Sequence, residues 1–106
     1  MEPIESRPIE LAYLAGLIDG RLGSIQIGKD DGVEICLISD APSVGPVLAQ
    51  IARQFGGSYL SGSRAHVWRI RRGAAYRLLQ QVLPFMRGAF RPLAERIIAD
   101  ENYARD

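Results

Sequence analysis

Two carboxylates and a run of arginines are the residues whose type and spacing could carry chemistry in this chain. Asp19 closes the segment Leu14-Ala15-Gly16-Leu17-Ile18-Asp19, and Gly20-Arg21-Leu22-Gly23 follows it. Asp40 comes directly after an apolar run and two residues before Pro42. Carboxylate oxygens suit a hard cation such as Mg²⁺, and a metal held by Asp19, with Asp40 as a further ligand, is the chemistry these two could supply. Asp40 reads more simply as a helix-approach cap ahead of Pro42. Arg21 carries the opposite charge beside Asp19, and a guanidinium attracts a phosphate directly. With one cysteine and one histidine, the chain has no Cys/His cluster for zinc. It has no Ser-His-Asp set and no glycine-rich phosphate loop. Cys36, in an apolar stretch, reads as a buried hydrophobe, and His66 as a packing or rim residue.

The charge is unevenly placed. The net value is +1, yet no acid occurs between Asp40 and Glu95, a stretch with eight arginines; the rest of the chain holds five basic and twelve acidic residues. The planar donor fork of arginine suits phosphate and guanine edges. A concentrated positive stretch is the electrostatic footprint of a nucleic-acid binder.

These residues need elements to position them. Pro8 to Gly20 reads as a helix, with Leu11, Leu14, Leu17 and Ile18 at helical spacing. Ser24 to Lys29 and Val33 to Ser39 read as a hairpin across Asp30-Asp31-Gly32. Ser43 is a candidate N-cap for a helix over Val44 to Phe55, which Gly56-Gly57 ends. Ser58 to Ser61 and Ala65 to Arg71 form a second hairpin across Gly62-Ser63-Arg64. A third helix covers Ala74 to Leu83 and stops near Pro84. A fourth runs from Leu93 to Tyr103. The fold class is α+β, in the order αββαββαα.

The run Leu14-Ala15-Gly16-Leu17-Ile18-Asp19-Gly20, followed by the strand-like Ser24-Ile25-Gln26-Ile27, resembles the signature of the LAGLIDADG homing endonucleases. Val67-Trp68-Arg69-Ile70 and Leu83-Pro84-Phe85-Met86-Arg87 resemble later family segments by pattern. The resemblance implies a single-motif, homodimeric type, whose motif helices pack at a two-fold axis with Ala15 and Gly16 at closest approach. Leu14, Ala15, Gly16 and Ile18 are then the expected dimer interface. It also implies a four-stranded antiparallel saddle on duplex DNA. Alternation places Ser24 and Gln26 of the first strand, Tyr59 and Ser61 of the third, Arg64 at the turn, and Arg69 and Arg71 of the fourth toward the DNA. The parity of the second strand stays open. A two-fold protein calls for a (pseudo)palindromic site.

The chain departs from the family where the chemistry is done. The acid that holds the divalent metal stands two places after the Asp19 equivalent, and here that place is Arg21. One extra residue lies between Gly20 and Gly23. The basic residue expected near Gly88 or Ala89 is absent, with Arg87 and Arg91 the nearest substitutes. The expected function is therefore duplex-DNA binding as a homodimer without cleavage and without a cofactor. One alternative is an active Mg²⁺-dependent site-specific endonuclease using Asp19. The other is a small interaction module whose arginines meet an acidic protein.

At 106 residues the chain is expected to form one domain, 1–106, with a real core. At 47% hydrophobic it has no apolar run of membrane-spanning length. Met1 to Arg7 does not read as a signal peptide. The lone Cys36 makes a cytoplasmic setting the expectation.

Overall fold

A computed structural model describes residues 7–30 and 32–105; the N-terminal segment read above and Asp31 of the first turn lie outside them, apart from Arg7 at the helix start. Helix α1 spans Arg7–Asp19, and strands β1 (Gly23–Ile27) and β2 (Val33–Ser39) follow as an antiparallel pair. A 3₁₀ turn over Pro42–Val44 leads into α2 (Gly45–Phe55). Strands β3 (Ser58–Ser61) and β4 (His66–Arg71) form the second hairpin. Helix α3 (Arg72–Val82) and a 3₁₀ turn (Leu83–Phe85) precede α4 (Arg91–Ile98), and a last 3₁₀ turn covers Glu101–Ala104.

The four strands order as β1-β2-β4-β3. The two hairpins meet through β2 and β4, which puts the later strand of each at the centre. Directly opposed residues share a face. Ile25, Ile35 and Ile70 therefore form one rung, and Leu37, Trp68 and Tyr59 another. Both rungs point into the core with Leu14 and Ile18 of α1, Leu48 of α2, Leu79 of α3 and Ile97 of α4. The helices thus cover one face of the sheet and leave the other open. Trp68 anchors the core: it is fully buried and donates its indole N–H to the Gly56 carbonyl at 2.9 Å. That contact depends on Gly56 and Gly57, which leave α2 with φ of 89° and 85°, angles that only glycine adopts without strain.

Two of the departures from the sequence reading concern helix ends. Ser43 lies inside the 3₁₀ turn, and the N-terminus of α2 has no side-chain cap. The fourth helix stops at Ile98 instead of running to Tyr103, because Asp100 takes an extended conformation and accepts the Asn102 N–H at 3.0 Å. A short acceptor side chain offers the backbone an alternative to the helix, and here it wins.

Candidate nucleic-acid interface

The open sheet face settles the parity that the sequence left undecided. Along it lie three rows: Gln26, Glu34 and Arg71; then Ser24, Cys36, Arg69 and Ser58; then Ile38, Val67 and Leu60. Of the residues expected to face DNA, Ser24, Gln26, Arg69 and Arg71 are on this face, and Arg64 is exposed at the β3–β4 turn. Tyr59 and Ser61 are not. Pairing places Tyr59 opposite the core residue Trp68 and Ser61 opposite His66. The Tyr59 hydroxyl bonds His66 Nδ1 at 2.9 Å, with the two rings stacked at 6.2 Å. The neighbours of Tyr59, Ser58 and Leu60, hold the open face instead.

An acid stands among the arginines. Glu34 Oε2 is 2.7 Å from Arg69 Nε, and its other oxygen is 3.9 Å from Arg71 Nε. Cys36 lies between β1 and β4 on this same face, buried to 8% exposure although it is not part of the core behind the sheet. Burial pushes its thiol up from its ordinary pKa, an effect the Arg69 guanidinium opposes.

The end of α1 is a different kind of place. Asp19 Oδ2 accepts two backbone N–H groups, from Arg87 at 2.8 Å and Gly88 at 2.9 Å. These lie on the loop after the Leu83–Phe85 turn, so Asp19 ties the motif helix to a segment nearly seventy residues away. A Cβ on Gly88 would come within 2.7 Å of the Asp19 carboxyl carbon. Asp19 Oδ1 is buried and has no partner among the described residues. Arg91 reinforces the same loop, donating to the carbonyls of Leu83 at 3.0 Å and Met86 at 2.7 Å. It is thereby a strut of the fold and not a free cation, while the Arg87 side chain is exposed.

The turn after Asp19 absorbs the extra residue without disturbing β1. Leu22 packs on the core and its carbonyl accepts the Ile38 N–H at 3.0 Å. Gly23 passes so close to α1 that a Cβ would lie 2.4 Å from Ile18 Cα. Arg21 points outward, exposed. A divalent cation finds a poor fit here: one Asp19 oxygen is committed to amides, Arg21 follows on the turn, and no group of three metal-ligating residues exists among those described. Asp40 is exposed, and the turn is held instead by Ser39, whose Oγ accepts the Ala41 N–H at 3.1 Å.

Helix α1 also corrects the expected dimer residues. Leu14, Ala15 and Ile18 are fully buried within this one chain and offer no surface to another. The face left uncovered is Ile9, Ala12, Tyr13, Gly16 and Gly20, with Ile9 81% and Tyr13 57% exposed. Only Gly16 of the expected set is on it, and a side chain there would meet nothing within 4 Å. No described helix is long and apolar enough to cross a membrane.

An antiparallel four-stranded sheet backed on one face by helices, with the small-residue helix α1 among them and an arginine-bearing open face, is the homing-endonuclease fold that the motif implied. Among solved structures, the homing endonuclease I-CvuI in complex with its target (Sro1.3) in the presence of Ca matches at a TM-score of 0.74 and 18% identity, over 90% of this chain and 67% of that one. I-CvuI in complex with the I-CreI target (C1221), in the presence of Mg and with the DNA not cleaved, matches at 0.69 and 17%, over 89% and 66%. This chain therefore spans about two thirds of the length of those proteins. No family model and no curated protein matches the sequence.

Proposed function

We propose that this chain binds duplex DNA through the open sheet face, as a homodimer joined along α1, and leaves the DNA uncut. The observation that carries this reading is the exposed pair Arg69 and Arg71 on the open face of a fold whose solved neighbours are seated on DNA. A two-stranded ribbon fits the major groove, and this sheet supplies two. The homodimer rests on α1 being apolar on both its sides, a pattern that calls for cover on both. Its inner side is covered by the core and its outer side, Ile9 to Gly20, is bare. Retention of the DNA intact rests on Asp19 serving as a backbone acceptor and on Arg21 standing at the place of the family's metal-binding acid. A cytoplasmic location suits the single free cysteine.

The test begins with selection of a bound sequence from random duplexes. Affinity for that duplex should fall with salt at about −0.9 log units per phosphate contact per log unit of salt, and Arg69→Ala with Arg71→Ala should weaken it. Gly16→Leu has room within the protomer, so the variant should fold and sediment as a monomer; an unchanged dimer would refute the α1 interface. Absence of affinity for any duplex at low salt would overturn the reading in favour of an acidic protein partner. A second reading, a metal-dependent endonuclease using Asp19, draws on the partnerless Oδ1. Linearisation of a supercoiled plasmid carrying the selected site, in Mg²⁺ or Mn²⁺ and lost in Asp19→Asn, would establish it.

A further inference from the structure

The open face is graded along its strands. At one end stand Gln26, Glu34 and Arg71, next to them Arg69 and Cys36, and at the other end Ile38, Val67 and Leu60. That last row is uncovered, with Ile38 51% and Leu60 64% exposed. Neither the acid nor the apolar row helps a surface that merely attracts phosphate. A carboxylate repels it, and apolar side chains give it nothing. Both make sense on a surface that reads base edges.

Glu34 takes the Nε edge of Arg69 at 2.7 Å. Anchoring there restricts the long side chain, which stays 44% exposed on the open face. Guanine offers two acceptors, O6 and N7, to an arginine fork, while the mark of thymine in the same groove is its C5 methyl. Residues two apart on a strand are separated by about 6.6 Å, close to two base-pair steps of about 3.4 Å each. Val67 stands two residues from Arg69 on β4, and Ile38 two from Cys36 on β2.

Resting on the DNA-binding reading above, we infer that the open face reads a guanine with Glu34-anchored Arg69 and, about two base pairs away, a thymine methyl with the row Ile38, Val67 and Leu60. Glu34 is then a specificity residue that works against affinity. It lowers attraction to any DNA and raises the preference for one base.

The test uses the selected duplex with deoxyuridine in place of the thymine, and separately with 7-deazaguanine in place of the guanine. The selected consensus should hold a guanine and a thymine about two base pairs apart. Loss of the thymine methyl should weaken the wild type about fourfold, the value of one methyl group removed from water. The Ile38→Ser variant, altered at an exposed position, should bind the thymine and uracil duplexes equally. Loss of guanine N7 should weaken the wild type about tenfold, within the range for one bidentate contact. Glu34→Gln should bind unrelated duplexes more tightly than the wild type does and lose most of the guanine preference. A wild type that binds its duplex but ignores both the methyl group and N7 overturns this inference alone. A wild type that binds no duplex overturns the DNA-binding reading and this inference with it.

Discussion

Replacing Asp19 separates a strut from a ligand. In Asp19→Ala, two backbone N–H groups lose a carboxylate acceptor held at 2.8 and 2.9 Å. Hydrogen bonds to a charged group are worth roughly 1.5–3 kcal/mol each. The Arg87 N–H is exposed and regains water, which discounts its share; the Gly88 N–H is partly buried and does not. The cavity beside Gly88 adds a smaller cost. The sum is a loss of about 2–4 kcal/mol, which for a chain near 100 residues lowers Tm by roughly 10–20 °C. Asp19→Asn keeps an amide oxygen of the same shape for both donors and should lose no more than about half as much. Urea unfolding read by tryptophan fluorescence of Trp68 measures both variants, with an unchanged m-value marking a native-state effect. An alanine variant with the wild-type midpoint, in a protein whose wild type nicks DNA with Mg²⁺, would refute the strut and make Asp19 a ligand.

Gly23→Ala should be among the most damaging small substitutions in the chain, because its methyl would press on the α1 backbone at Ile18. The expected cost is about 3 kcal/mol or more by the overpacking measure, visible as a lower urea midpoint or as insoluble protein. The Asp30 carboxyl is held below its ordinary pKa by the Gly32 N–H first and also by the Arg72 guanidinium, with desolvation opposing them. A depressed folded pKa means stabilisation that is present above the ordinary carboxylate range and lost as pH falls below it. Asp30→Asn should therefore flatten the acid limb of a stability–pH curve below about pH 4 and leave its neutral limb little changed in shape. A variant whose acid limb matches the wild type would show that neither the Gly32 N–H nor the Arg72 guanidinium holds the Asp30 carboxylate in solution.

Much of the architecture was legible because its signals are local. Asp30 to Gly32 and Gly62 to Arg64 mark turns by their own conformational preferences, Gly56-Gly57 ends a helix in the same way, and the motif run names its helix outright. What failed depends on pairing between distant segments. Ser58 to Ser61 is four residues long with an aromatic at one parity and a leucine at the other, so its faces are ambiguous until β3 meets β4 and Tyr59 lands opposite Trp68. The inner and outer sides of α1 are both apolar, so spacing could not say which leucines the protomer keeps for itself. Asp19 could be seen as a residue of interest, but its partners Arg87 and Gly88 lie at the far end of the chain. Nothing near Glu34 in sequence announces that two arginines from another hairpin will close on it.

The corner that leads from α1 into β1 has four residues, Gly20 to Gly23, three that are spoken for and one that is not. Leu22 is fixed by packing and by the Ile38 N–H, Gly23 by the closeness of Ile18, and Gly20 by the carbonyl oxygen of Gly16, 3.1 Å from where its Cβ would be. Arg21 is exposed, with no side-chain bond among the described residues to hold it. Variation at this corner is thus channelled to a single site: the scaffold tolerates nearly any side chain at position 21 while resisting change on either side. A lineage could alter the charge it presents there in one step, with the helix, the strand and Asp19 all left standing.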